Sequence, residues 1–124
     1  MALVKNLRNI LEQAPEHVDV AIKLLTDRNR IVKSRILPYR FITAVQEIET
    51  NFQNENGRKI VMALADAIDI ACENAPAFDG RTLVAVDNSG SMGGTVKDVA
   101  GLFAAVIAKT NNADVLLFDD KAEW

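Results

Sequence analysis

The residues best suited to chemistry lie in the segment Leu83-Val84-Ala85-Val86-Asp87-Asn88-Ser89-Gly90-Ser91. Four apolar residues before Asp87 predict a buried strand whose carboxyl end opens into a loop, the place where ligands of parallel sheets collect. Asp87 supplies a charged oxygen there, and Ser89 and Ser91 supply neutral oxygens at alternate positions. Mg²⁺ and Mn²⁺ prefer such oxygen donors, so the segment predicts a divalent-cation site. The alternative is a strand-to-helix turn in which Asp87 accepts backbone hydrogen bonds.

A second group of residues is suited to binding nucleic acid. Positions 28–40 contain five basic residues and no acidic residue. Such a cluster attracts phosphates and releases counterions on binding them, and an aromatic ring beside it could stack on a base. The alternative is a solvated helix face whose aliphatic stems cover apolar neighbours, and the sequence leaves both interpretations open. The predicted RNA-binding residues are Arg28, Arg30, Lys33, Arg35, Tyr39 and Arg40.

Charge is divided unevenly along the chain. Residues 1–40 hold eight basic and four acidic residues, a net charge of +4, whereas the whole chain carries −3 and the remainder therefore −7. His17 and Cys72 are the only histidine and the only cysteine. The chain shows neither a Gly-x-Ser-x-Gly elbow nor a Gly-Lys-Ser/Thr phosphate loop, so we expect no catalysis. It also lacks an apolar run of membrane-spanning length and a signal peptide, which favours a cytoplasmic location.

The elements that must position these residues divide the chain in two. Residues 1–78 show helical periodicity, with predicted helices at about 3–13, 16–26, 29–35, 38–50 and 58–74. Ile60, Leu64, Ala67, Ile68 and Ala71 form an apolar stripe on the last of these helices. Residues 83–118 then predict a strand, a helix over 96–109 and a second strand over 115–118.

Two parallel strands leave unpaired edges and apolar faces that a monomer covers poorly. We therefore expect a homo-oligomer, or a complementing chain that pairs with the sheet. The predicted fold class is α+β to α/β, with N-terminal α-helical repeats followed by a partial Rossmann-like β-α-β unit.

The Asp-x-Ser-x-Ser pattern resembles the metal-ion-dependent adhesion site of von Willebrand factor A domains. The resemblance implies that Asp87, Ser89 and Ser91 approach Mg²⁺ or another divalent cation. In that family a Thr and a second Asp from later loops complete the site. The chain reaches Trp124 before such loops, so ion binding is expected to be weak or absent.

The segment Arg35-Ile36-Leu37-Pro38-Tyr39 at the start of a helix, followed by a further helix and the Asp87 strand, resembles the TROVE module of Ro autoantigen proteins. Ro proteins join a ring of helical repeats to a von Willebrand A domain. The resemblance implies that residues 1–78 correspond to the last part of a TROVE module and residues 79–124 to the first part of an A domain. The chain would then be a truncated form or a piece of a longer protein.

Three functions follow as expectations. The resemblance to Ro proteins implies non-catalytic binding of small structured or misfolded RNA. A metal-dependent protein-interaction or assembly module of the von Willebrand A type is the alternative. The third is an inactive fragment of a larger Ro-like protein.

Overall fold

A computed structural model describes residues 2–90, 93–119 and 122–123. The helices are α1 (Ala2–Gln13), α2 (Val18–Leu25), α3 (Arg28–Ser34), α4 (Pro38–Asn51), α5 (Glu55–Ala71) and α6 (Gly94–Asn111). Short 3₁₀ turns at Pro15–His17 and Cys72–Asn74 precede α2 and follow α5. The strands are β1 (Leu83–Asp87), β2 (Asp114–Phe118) and β3 (Ala122–Glu123). The predicted class of helical repeats followed by a partial α/β unit is confirmed.

The chain forms two compact units, Met1–Asn74 and Ala75–Trp124. In the first unit α5 packs against α2, α3 and α4, and α1 packs against α2 and α4. The predicted apolar stripe of α5 is confirmed, because four of its members are buried and Ile68 packs against the core. Among the residues whose burial is described, the largest fully buried side chains all belong to this unit: Phe41, Leu7, Leu25, Ile31, Ile48, Ile60 and Leu64.

Local signals fix where these helices begin. Asp27 caps α3, since its carboxylate accepts a hydrogen bond from the backbone N–H of Arg30 at 3.1 Å. Pro38 occupies the first turn of α4, where its missing N–H costs nothing. Helix α5 begins three residues before the predicted position 58, because Asn54 caps the helix by accepting from the N–H of Gly57 at 2.8 Å.

The second unit contains a small sheet in the order β1-β2-β3. Strands β1 and β2 are parallel, with Leu83 opposite Asp114 and Asp87 opposite Phe118, and β3 pairs antiparallel with β2. Helix α6 connects β1 to β2 and packs mainly on β1. The two-residue strand β3 was not predicted, since so short a segment has no periodicity to detect.

The strand β1 is confirmed, but its predicted burial is wrong for most of its length. Val86 is buried and Val84 half-buried, whereas Leu83 and Ala85 are exposed. Alternate side chains of a strand point to opposite faces, so this pattern indicates that only one face of β1 is covered. Pairing with a second copy or a complementing chain stays a prediction.

No helix within residues 2–90 and 93–119 is long and apolar enough to cross a membrane.

The turn between α4 and α5 predicts a sharp response to substitution. A Cβ added at Gly57 would lie 1.9 Å from the carbonyl oxygen of Phe52, and backbone atoms cannot move aside as a flexible side chain can. We expect Gly57→Ala to lower the free energy of unfolding by about 1–3 kcal/mol or more through this clash. Chemical denaturation followed by far-UV circular dichroism measures the change.

Gly101→Ala is the matched control, because the space around Gly101 on α6 is open. Alanine is the better helix former by roughly 1 kcal/mol, so this variant should be neutral or more stable. Equal effects of the two substitutions would contradict the proposed close approach at Gly57.

Candidate nucleic-acid interface

A groove on the first unit gathers several of the predicted RNA-binding residues. It lies between α1, the turn joining α3 to α4, and the first three turns of α4, and its volume is about 520 Å³. Pockets that hold small ligands range from roughly 300 to 1,000 Å³, so a nucleotide is within its capacity. We call it the α1–α4 groove; its lining residues are Val4, Lys5, Ser34, Arg35, Ile36, Leu37, Tyr39, Arg40, Thr43, Ala44 and Glu47.

The charge of the α1–α4 groove is mainly positive. Lys5, Arg35 and Arg40 line it, against a single acidic residue, Glu47. All three cations are exposed. Within the part of the chain that the structure describes, none of the three forms an ion pair, so their charges are available to an anionic ligand.

Arg35 is held in an unusual backbone conformation. It caps the carboxyl end of α3 with φ 52° and ψ 26°, in the left-handed region where glycine is the common residue. A residue with a Cβ pays about 1–2 kcal/mol for this conformation. A large cationic side chain in a costly position beside a groove is a reason to look for a function there.

Asn74 stabilises the turn that presents Arg35. Its side-chain amide donates hydrogen bonds to the carbonyl oxygens of Ile31 at 3.1 Å and Ile36 at 2.9 Å, which flank the turn. The hydroxyl of Ser34 also donates to the carbonyl of Ile31, at 2.8 Å. The 3₁₀ turn that follows α5 thus fixes one wall of the groove.

Tyr39 and Arg40 together form a stacking surface. The guanidinium carbon of Arg40 lies 5.2 Å from the centre of the Tyr39 ring, within the range of a cation–π interaction. Tyr39 is half-buried at the groove and Arg40 is exposed. A base stacked here would contact an aromatic ring and a planar cation, both of which bind bases without regard to sequence.

The structure divides the basic cluster predicted from the sequence. Arg28 forms a two-pronged ion pair with Glu73, with nitrogen–oxygen distances of 2.6 and 2.7 Å, so an acid far along the chain neutralises its charge. Arg30 and Lys33 are exposed on α3 but do not line the groove. Lys5 was not predicted, because it lines the groove with Arg35 and Arg40 only through the packing of α1 against α4.

The predicted metal site begins at the carboxyl end of β1, as expected. The backbone N–H of Ser89 donates to Asp87 Oδ1 at 2.8 Å. This bond, followed by one from the Ser89 hydroxyl, lowers the pKa of Asp87 below its usual value. Ser91 lies outside the described residues.

Asp87 and Ser89 offer oxygen donors of the kind that a divalent cation prefers. One ionised carboxylate and one hydroxyl suit a cation such as Mg²⁺ that keeps several of its waters. No group of three or more His, Cys, Asp or Glu side chains suited to a metal occurs within residues 2–90, 93–119 and 122–123. Metal binding by Asp87, Ser89 and Ser91 stays a prediction.

Residues 1–94 match the family model of the TROVE domain. The match covers 94 of the 124 residues and includes the whole α1–α4 groove. No curated protein and no solved structure matches the sequence. The chain belongs to the TROVE domain family.

The two hydrogen bonds from Asn74 predict a loss of stability when they are removed. We expect Asn74→Ala to lower the free energy of unfolding by about 1–3 kcal/mol, because the carbonyls of Ile31 and Ile36 lose a partner at a half-buried site. Asn6→Ala is the control, since Asn6 makes an exposed bond to Ala2 within its own helix. Urea denaturation of both variants should show a clearly larger loss for Asn74→Ala, and similar losses would contradict the role given to Asn74.

The hydrogen bonds at Asp87 predict a specific titration. The folded pKa lies below the ordinary 3.8, so the charged carboxylate adds stability above that value and loses it as the pH falls through the folded pKa. In the Ser89→Ala variant the pKa of Asp87 should rise only part of the way toward its ordinary value. The hydrogen bond from the backbone N–H of residue 89, which is the larger cause of the lowered pKa, remains in this variant. NMR titration of the Asp87 carboxyl carbon measures both values.

The same NMR sample tests the metal prediction. Addition of Mg²⁺ should shift the Asp87 carboxyl signal in a saturable manner, while Asp98, exposed on α6 in the same unit, reports non-specific association. Equal responses at the two carboxylates would show the prediction of a site at Asp87 to be wrong.

Proposed function

We propose that this TROVE-family chain binds RNA without catalysing a reaction, and that the α1–α4 groove is the contact surface. The observation that carries the proposal is that three cations line one groove that also contains Tyr39, and that none of the three pairs with an acid among the described residues: Lys5, Arg35 and Arg40. Lys5 lies on α1, Arg35 in the α3–α4 turn and Arg40 on α4, so folding brings these cations to one groove from separate elements.

Electrostatics gives the proposal a measurable form. Each phosphate that a cation neutralises releases counterions. For single-stranded nucleic acid, a plot of the logarithm of the binding constant against the logarithm of the salt concentration therefore has a slope of about −0.7 per phosphate contact. Three contacts in the α1–α4 groove therefore correspond to a slope of about −2. This part of the binding energy carries no sequence information.

The aromatic and apolar side chains of the groove would add a second contribution to the free energy of RNA binding. Stacking of a base on Tyr39 and Arg40 is worth roughly 1–3 kcal/mol in single-strand-binding proteins. The apolar side chains of Val4, Ile36 and Leu37 complete a surface that suits an unpaired nucleotide. Family membership supports RNA as the polymer, since the sequence resembles Ro proteins, which bind small structured and misfolded RNAs.

A metal-dependent protein-interaction module remains a second proposal. The hydrogen bonds from Ser89 favour an ionised carboxylate at Asp87, the state that a divalent cation requires. A partner carboxylate would then bind at an open position of the ion. EDTA should abolish such binding, whereas RNA binding through the α1–α4 groove should survive it.

The RNA proposal is tested with a fluorescent RNA that has a stem and a single-stranded 3′ end, titrated at low and near-physiological salt. We expect saturable binding to the wild-type chain with a salt slope of about −2 or steeper. The variant Lys5→Gln, Arg35→Gly, Arg40→Gln should bind at least about tenfold more weakly with a slope closer to zero. Glycine at position 35 removes the charge and retains the left-handed turn.

The control variant Lys23→Gln, Arg58→Gln, Lys59→Gln removes the same number of charges from the first unit, outside the groove. A loss equal to that of the groove variant would show that binding follows net charge, and the groove proposal would be wrong. A further variant, Arg30→Gln with Lys33→Gln, measures whether the exposed face of α3 contributes as the sequence predicted.

A further inference from the structure

The α1–α4 groove contains one carboxylate, that of Glu47, although a groove that only attracts phosphates needs no negative charge. Glu47 lines the groove, and within the described part of the chain its carboxylate forms neither a hydrogen bond nor an ion pair. Its influence reaches Arg8, whose pKa is raised chiefly by the hydrogen bond to Glu12 and least by the charge of Glu47. Arg8 already pairs with Glu12 at 3.0 Å, so Glu47 keeps its acceptor capacity.

Helix geometry places this carboxylate at a defined distance from the cations. Arg40 and Glu47 are seven residues apart on α4, so they lie on the same side of the helix, about 10 Å apart along its axis. Arg35 and Tyr39 are near the Arg40 end. The groove therefore has a cationic, aromatic end and an acceptor end two helical turns away.

A ligand that matches this arrangement has a negative group at one end and hydrogen-bond donors at the other. An RNA nucleotide has these features when its phosphate lies near Arg35 and Arg40 and the edge of its base faces Glu47. A carboxylate can only accept hydrogen bonds, so it selects among bases by the donors they present. Guanine presents two adjacent donors, N1–H and N2–H, which match the two carboxylate oxygens in a bidentate pair.

The other bases match less well. Uracil presents one donor between two acceptors, while adenine and cytosine each set an acceptor beside their amino group, and an acceptor facing a carboxylate is repelled. We propose that Glu47 is a specificity-determining residue through which the groove selects guanine among unpaired nucleotides. This inference rests on the proposed RNA-binding function and adds base selection to it.

The test uses an all-uridine RNA octamer and three oligomers made from it, in which one central nucleotide is guanosine, inosine or adenosine. Inosine retains N1–H and lacks the N2 amino group, so it removes one hydrogen bond and leaves the ring available for stacking. We expect the wild-type chain to bind the guanosine oligomer at least about fivefold more tightly than the inosine and adenosine oligomers, the size of a good bidentate contact.

Glu47→Gln should remove the difference between guanosine and inosine, because a primary amide cannot accept two parallel hydrogen bonds. Its affinity for the all-uridine octamer should stay equal or rise, since a negative charge near the phosphates is lost. Glu49→Gln is the control: Glu49 is exposed on the same helix outside the groove, and its variant should keep the wild-type preference.

The outcomes separate the two levels of inference. Equal binding of the three oligomers by the wild-type chain, or an unchanged guanosine preference in Glu47→Gln, would overturn base selection by Glu47 and leave RNA binding in place. Absence of binding to every oligomer and to the stem-containing RNA at low salt would overturn the proposed function itself, and base selection with it.

Discussion

Burial of one face of α5 is the constraint on which the first unit depends. Ile60, Leu64, Ala67 and Ala71 are completely buried, and α5 packs against three of the four other helices of the unit. Full burial of a large aliphatic side chain is worth about 1.5–3 kcal/mol, more than the caps that mark the helix ends. The positions of α2, α3 and α4 therefore follow from how each covers this stripe.

Contacts at the two ends of α5 position the elements that form the α1–α4 groove. At its start, Gly57 lets the backbone of Phe52 approach closely, which sets how α4 meets α5. Just beyond its end, Asn74 donates to the carbonyls of Ile31 and Ile36 and so determines the α3–α4 turn. Helix α4 begins at that turn and ends near Gly57, so both ends of the helix that carries Arg40 and Glu47 are fixed by α5. The left-handed conformation of Arg35, at about 1–2 kcal/mol, persists because these bonds hold the residues on either side of it.

Much of this architecture was predictable from periodicity, and the failures have identifiable causes. Helices α1 to α4 were placed within about two residues because apolar positions recur at helical spacing and Asp27 and Pro38 mark two of the starts. The start of α5 lies three residues before the predicted position, because Asn54, which the sequence analysis did not use as a signal, caps the helix. The turn at Asp87 matches the hydrogen-bonded alternative derived from the sequence, since Ser89 donates to the carboxylate locally. The ion pair of Arg28 with Glu73 and the place of Lys5 in the groove could not be predicted, because tertiary packing alone brings these parts of the chain together. RNA contact by Arg28 stays a prediction.

If the α1–α4 groove binds RNA as proposed, its balance of charge gives the single acid there an expected effect larger than its number suggests. Three cations attract any phosphate backbone, so alone they would give affinity without selection. In the proposed mode of binding, the Glu47 carboxylate weakens that general attraction for anionic ligands, and a ligand whose donors satisfy both of its oxygens offsets this loss. The proposed selection would therefore arise from a repulsive element as much as from a new contact. Because Glu47 and Arg40 belong to the same helix, helix geometry sets the separation of their backbone positions, and in the proposed mode of binding this separation limits which ligands can reach both side chains.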